Sequence, residues 1–375
     1  MKIVMLSRVI YLGGVTTHLI DLCGGLIKEG HEVSIISAGP AFPNRKENID
    51  LFQKLIDIGV EYIHVDFPLN NKNKFSYALQ LLKAIFNCYK IFKKKSFDII
   101  HVHSPILSFV PKILNKKFIR TIHINDTNLG KLDCSASHDI AISQEIYKKT
   151  KEHYGYNNSQ ITLINNGVSN NYFNIISDKE KSIYKEKWGI NNKLVIGLVG
   201  TFHERKGQDI LIKAVASLPE NIIDRISLVF LGSGEENEIL KVKMLIKEKK
   251  LEEISLFIPF QDPIEIYKIF DVMVLPSRLE GFPLVTIEAM LMGNCVIRSN
   301  IEGTAEQIID GETGFIFENE NYYQLSEIIL KIFKDDNLRK RVSYAGQKYA
   351  LQYFTSETMV QKTLNVYSKL IEANE

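Results

Sequence analysis

Short β-branched runs alternate with longer amphipathic stretches along almost the whole chain, and the alternation occurs twice with one break between. A strand followed by a helix and then another strand can return to the same sheet only in parallel order, because the helix is the crossover that parallel neighbours require. The chain is thereby constrained to the α/β class, a parallel sheet wrapped by helices. The first set of strand-like runs reads Ile3–Leu6, Val33–Ser37, Tyr62–Val65, Ile99–Val102, Ile119–His123, Ile140–Ile142 and Thr162–Ile164. Between the first two, Val15, Leu19, Leu22 and Leu26 stripe one face of a helix. Residues 165–192 then hold seven Asn and a short charged helix, and read as a linker. A second set of strands follows at 194–199, 227–231, 254–258, 272–275, 295–298 and 314–317, then helices at 321–334, 335–351 and 356–372.

A length of 375 residues suits two domains better than one. The expected division is 1–168, a linker 169–192, 193–352, and a closing helix within 353–375 that packs back toward the first domain. Two doubly wound parallel-sheet domains facing a central cleft are the economical architecture. No apolar run approaches the ~18 residues needed to cross a membrane. Met1–Leu6 reads as a buried strand and not as a signal peptide. The cysteines at 23, 88, 134 and 295 have neither metal nor disulfide spacing, which suits a reducing cytoplasm.

The net charge of +2 conceals an asymmetry: residues 1–170 carry 21 Lys and Arg against 14 Asp and Glu, and residues 171–375 carry 25 against 30. Basic clusters stand at Lys72/Lys74, Lys93–Lys95 and Lys116/Lys117. They are either solvated helix ends or a face turned to an anionic membrane or lipid-linked acceptor. No basic-aromatic motif for nucleic acid is present.

The densest chemistry lies in PSRLEGFPLVTIEAMLMGNCVI, residues 276–297. Glu280 and Glu288 stand eight positions apart across a Gly281-Phe282-Pro283 turn, with a buried strand before and a helical run after. Glu280 then sits at the carboxyl end of a strand, where open α/β sheets bind ligands. The amides of Leu284 and Val285 open a helix N-terminus, which attracts phosphate. Two carboxylates flanking an anion site suit a diphosphate with hydroxyl groups on both sides.

Three further segments follow strands. Gly13-Gly14, ahead of Val15-Thr16-Thr17-His18, permits close approach to a diphosphate, while His18 falls on the buried face and reads as structural. VGTFHERKGQD, residues 199–209, offers Lys206 and Arg205 against the charge of a departing diphosphate. LGSGEEN, residues 231–237, lacks the third glycine of a dinucleotide fingerprint. His101, His103 and His123 close consecutive strands, which makes His103 and His123 neighbours. Zinc is disfavoured there because no third ligand has suitable spacing. No carboxylate pair of the DXD type is present to hold a divalent cation, so catalysis without a metal is expected.

These segments in this order resemble the GT-B-fold retaining glycosyltransferases of family four, the glycosyl transferases group 1. The resemblance runs from GGVTTHLIDLCGGLIKEGHEV through DIIHVHSP, TIH, INNGV, RKGQD and LEGFPLVTIEAM to GTAEQIIDGETGFIF. It implies that Glu280 contacts the transferred sugar and Glu288 the nucleotide ribose, while the Leu284 and Val285 amides hold the diphosphate. Lys206 resembles the family's phosphate-binding lysine, Gly14 with Gly13 the loop over the diphosphate, and His123 the histidine beside the sugar. His123, Glu280, Lys206 and Arg205 are the implied catalytic set. Gly200, Thr201, Gly281, Phe282 and Pro283 join the donor site, and His103 and Asn125 the acceptor side. In two places the chain departs from the family: Thr201 stands where an arginine is usual, with Arg205 or His203 as substitutes, and Pro283 where glycine is common. The implied activity moves a hexose or N-acetylhexosamine from a nucleotide sugar, most often uridine-linked, to a glycan or glycolipid acceptor in bacterial surface polysaccharide or lipopolysaccharide synthesis. A nucleotide-sugar epimerase and a non-catalytic sugar-binding subunit are the alternatives.

Overall fold

The computed structural model describes residues 1–68, 73–123, 134–173, 176–190 and 193–372. Lys72 and Asn125, both singled out above, lie outside the described residues. The chain forms two compact units, Met1–Gly167 with Ser356–Glu375, and Val168–Thr355.

The first unit carries β1 (Lys2–Leu6), β2 (Glu32–Ser37), β3 (Glu61–His64), β4 (Ile99–Val102), β5 (Ile119–Ile122), β6 (His138–Ala141) and β7 (Ile161–Leu163). They form one sheet in the order β3-β2-β1-β4-β5-β6-β7, and every pairing is parallel. Side chains alternate between faces along a strand, and β1 shows the consequence. Ile3 and Met5 pack beneath the helix Gly14–Lys28, with its Leu19, Leu22, Cys23 and Leu26, and beneath Met359, Val360, Val366 and Tyr367 of the closing helix Ser356–Glu372. Val4 and Leu6 face the other way, toward Ile36, Val102, Phe118 and the inner residues Ala84 and Cys88 of the helix Lys74–Lys94. The first and last helices cross so closely that a Cβ on Gly25 would stand 2.4 Å from Val360 Cγ2. Only glycine fits that crossing.

The second unit carries β8 (Leu194–Val199), β9 (Ile226–Leu231), β10 (Ser255–Ile258), β11 (Val272–Leu275), β12 (Cys295–Asn300) and β13 (Phe315–Glu318). Its sheet is also wholly parallel, in the order β10-β9-β8-β11-β12-β13. Ile196, Leu198, Leu228, Phe230, Val272 and Val274 form its apolar core with Leu325, Ile329 and Ile332 of the helix Tyr322–Lys334. The helix Asp178–Lys187 also belongs to this unit. Ser177 and Glu180 cap it reciprocally, and its Lys181 and Lys185 both pair with the buried Asp271 that leads into β11. Asp271 Oδ2 accepts the Val195 N–H at 2.8 Å, which pins β8 to the start of β11.

Both sheets reverse their strand order beside their first strand, at β1/β4 and at β8/β11. The crevice outside the carboxyl ends of two such strands is where a doubly wound sheet takes its ligand. No helix among the described residues is long and apolar enough to cross a membrane.

Candidate active site

Each unit places a group of polar residues beside its switch point. In the second unit β8 runs out through Gly200, whose N–H donates to Leu231 O at 3.0 Å. The chain then makes a short turn, Glu204–Lys206, and begins the helix Gln208–Ala216 at Gly207. Gly207 has φ of 70°, and a Cβ there would stand 2.1 Å from Pro276 O. The turn is therefore wedged against the segment leaving β11, and the wedge brings Lys206 to Glu280. Lys206 Nζ donates to Glu280 Oε1 at 2.5 Å, Ser277 Oγ donates to the same oxygen at 2.8 Å, and Arg205 Nη1 stands 3.4 Å from Oε2. Burial alone would raise the Glu280 carboxyl, but Lys206, Arg205 and Ser277 hold it below the usual carboxylate value. The two cations differ in setting: the Lys206 side chain is 12% exposed and that of Arg205 42%.

Past Glu280 the turn Gly281–Pro283 leads into the helix Leu284–Leu291 with Pro283 at its cap. Proline is well placed there, since its missing N–H would have had no helical partner. Gln307 Nε2 donates to Pro283 O at 3.1 Å, and Arg298 Nη1 donates to Gln307 Oε1. Glu288 lies in the second turn of that helix, buried, and accepts a hydrogen bond from Tyr267 Oη at 2.8 Å. Burial, reinforced by Glu288, pushes the Tyr267 hydroxyl well above its ordinary value, so it stays a donor. Thr201 offers its carbonyl to Gln208 Nε2 at 2.9 Å. His203 uses Nδ1 to accept the Arg205 N–H at 3.1 Å, while the Arg205 guanidinium reaches Glu280.

In the first unit Gly13 and Gly14 stand between β1 and its helix, where Gly13 O accepts the Thr16 N–H at 3.1 Å and Gly14 faces open space. One turn further on, His18 joins His103 and His123. Ring centroids of His18 lie 4.7 Å from His123 and 5.5 Å from His103, and His103 Nδ1 is 3.2 Å from His123 Nε2. His101, behind them, is bonded to Tyr367 Oη at 2.6 Å and Thr121 Oγ1 at 2.7 Å. Burial and then mutual repulsion keep His103 and His123 far below the ordinary histidine value; His18 falls to about 4 and His101 to about 3. All four are neutral at pH 7, and each ring then has one N–H donor and one acceptor nitrogen.

One expectation from the sequence changes here. His18 is buried as expected, and the β1-β4-β5 order sets it beside His103 and His123. Strand spacing offers zinc no third ligand, yet His18 supplies one: one nitrogen from each of the three histidines lies within 4.8 Å of the others. Sequence spacing could not show it, since the three come from different βα units.

Two family models match the chain, one described as Glycosyltransferase Family 4 over residues 12–171 and one as Glycosyl transferases group 1 over residues 180–349. The chain belongs to these GT-B glycosyltransferases. A capsular polysaccharide biosynthesis glycosyltransferase of Staphylococcus aureus is 29% identical over 244 residues, which are 63% of this chain and 62% of that protein. The N-acetyl-alpha-D-glucosaminyl L-malate synthase of Bacillus anthracis is 24% identical over 363 residues, 91% of this chain and 90% of its own. Among solved structures, a glycosyltransferase from Rickettsia africae superposes with a TM-score of 0.82 at 24% identity, covering 100% of this chain and 99% of that one. An Anabaena protein solved with UDP and glucose gives 0.80 at 20% identity, covering 98% and 100%.

In this glycosyltransferase the structure adds residues that the sequence did not single out. Tyr267 sits on an apolar helical pattern, IEIYKIF, and looks like core. Arg298 sits in the strand CVIRSN, where a lone charge reads as solvent-facing, yet it is fully buried. Burial holds Arg298 down at about 10 against the favourable field of Glu280.

Proposed function

We propose that this glycosyltransferase moves a hexose or N-acetylhexosamine from a nucleotide sugar, UDP-linked, to a glycan or lipid-linked acceptor, with retention of anomeric configuration and without a metal. The reading rests chiefly on one observation. A buried carboxylate at the end of β11 is clamped by a lysine and an arginine, directly before a helix N-terminus and eight residues before a second buried carboxylate. The UDP and glucose bound by the Anabaena protein and the capsular role of the S. aureus relative point the same way.

The chemistry follows from charge. Breaking the bond between the anomeric carbon and the diphosphate oxygen puts negative charge on the diphosphate and oxocarbenium character on the sugar. Lys206, Arg205 and the amides of Leu284 and Val285 meet the first. Glu280, held ionised, accepts sugar hydroxyls and fixes their position. Glu288 accepts the ribose hydroxyls, with Tyr267 holding its other side. From the first unit, Gly13-Gly14 is assigned to the diphosphate, and His123, neutral and backed by His103, to a hexose hydroxyl. The acceptor oxygen bonds to the anomeric carbon on the face the diphosphate leaves, and its proton passes to the departing diphosphate oxygen.

A panel of nucleotide sugars supplied with and without acceptors tests this reading. Release of nucleoside diphosphate should be acceptor-stimulated, the glycoside should keep the donor's anomeric configuration by NMR, and EDTA should leave the rate unchanged. An inverted product refutes retention. Loss of activity in EDTA that manganese or magnesium restores refutes the metal-free account, and sugar inversion with no acceptor favours an epimerase.

A further inference from the structure

The helix Lys74–Lys94 packs onto the first sheet through Ala84 and Cys88, with Leu81, Ile85, Ile91 and Phe92 at the margins. Its opposite face should be polar if water were its only neighbour. Instead Phe75, Leu79, Leu82, Phe86 and Tyr89, spaced four, three, four and three apart, form one continuous exposed stripe. Phe75 is 79% exposed, Leu82 63% and Phe86 55%. Single exposed apolar side chains are ordinary, but five in register along one helix mark a contact surface.

The charges around the stripe say what it contacts. The helix has five lysines before its C-cap, Lys74, Lys83, Lys90, Lys93 and Lys94, and no Asp or Glu. Lys90 Nζ lies 4.4 Å from the Phe86 ring centroid and Lys93 Nζ 5.0 Å from that of Tyr89. Each amine thus rides beside a ring, an arrangement that lets the ring enter an apolar layer while the ammonium stays among anions. Lys95, just past the helix, is paired with Glu61 and is set apart from this group.

We propose that this helix lies in the plane of an anionic lipid bilayer, with Phe75, Leu79, Leu82 and Phe86 among the acyl chains and the lysines on the headgroups. The proposal stands on the exposed face alone and does not depend on the donor assignment. A second copy of this chain or a protein partner would need acids opposite five lysines.

Flotation with phosphatidylglycerol-containing and purely phosphatidylcholine vesicles tests it, using the whole chain, a Phe75→Ser/Leu82→Ser/Phe86→Ser variant, and a Lys83→Gln/Lys90→Gln/Lys93→Gln/Lys94→Gln variant. All seven positions are exposed, so circular dichroism and Tm should match wild type, and donor hydrolysis should persist. Wild type should float with anionic vesicles in low salt and release as salt shortens the Debye length. Each variant should bind at least about tenfold more weakly, and the lysine variant should lose the salt dependence. Leu82→Trp should shift its emission to the blue on anionic vesicles. The proposal is overturned if wild type ignores anionic vesicles in low salt or if both variants bind as wild type does. Concentration-dependent dimers that the serine variant abolishes would overturn it too, by giving the stripe to a second copy.

Discussion

At the end of β11 a buried carboxylate is held between two cations, whereas at the ends of β4 and β5 buried imidazoles cluster with no counter-charge among the described residues. Both arrangements put hydrogen-bonding groups at a sheet's switch point, where polar atoms must be satisfied or stay costly. In the second unit charge is retained and compensated. In the first it is expelled: the rings stay neutral because no environment would stabilise four imidazolium ions in contact. A compensated site can meet the large charge of a diphosphate; an uncharged one suits hydroxyl groups. The contrast also sets which unit acid attacks first.

The largest expected effect is on pH stability. Unfolded, the four imidazoles titrate near 6.5; folded, His18 titrates near 4, His101 near 3, and His103 and His123 also well below 6.5. The unfolded chain therefore binds more protons across that window. The stabilisation is fully present above about 6.5 and is lost as pH falls, by up to about 1.4 kcal/mol per pH unit for each neutral ring. Glu280 and Asp271, both lowered, keep their contribution until pH drops below the ordinary carboxylate range near 4. The chain's one tryptophan, Trp188, lies in the second unit. Acid titration should thus show circular dichroism falling between about pH 6 and 4 while Trp188 emission holds. Coincident transitions would erase the contrast.

Next in size is Lys206→Ala, which removes the main partner of Glu280. The turnover rate should fall roughly 10²–10³-fold, the scale of one lost charge-stabilising donor. A loss under about threefold would move the burden to Arg205 or the helix amides. Glu288→Gln should weaken donor binding by roughly 1.5–3 kcal/mol in calorimetry, the worth of a charged hydrogen bond. Unchanged affinity in a folded protein would remove Glu288 from the donor. The smallest effect belongs to Arg205→Gln: with a partly exposed side chain 3.4 Å from Glu280, its loss should cost at most about 1 kcal/mol of stability, read from Tm. A larger drop would make the outer cation as important as the inner one.

The strands were legible because β-branched runs between helical stripes have few other solutions, and Ile3/Met5 against Val4/Leu6 shows the period at work. Glu280, Glu288 and Lys206 were legible because each sits at a strand end or in the helix after it. The histidine cluster was only half legible. His103 and His123 close consecutive strands, but His18 reaches them because β1 lies beside β4, and that adjacency depends on topology. Arg298 and Tyr267 were invisible for a different reason. Burial of a lone arginine or of a tyrosine hydroxyl is decided by partners such as Gln307 and Glu288, which stand on other elements.

The place of the closing helix has a consequence for biosynthesis. Ser356–Glu372 fills the core beside Gly14–Lys28, and its Tyr367 hydroxyl holds His101, yet it leaves the ribosome after every residue of the second unit. The later-coded unit can therefore be folded while the core of the earlier one still lacks Met359, Val360, Val366 and Tyr367 in the crowded surroundings of translation. A nascent chain stalled before residue 356 should bind chaperones through its oldest segment, and release should coincide with emergence of the last helix.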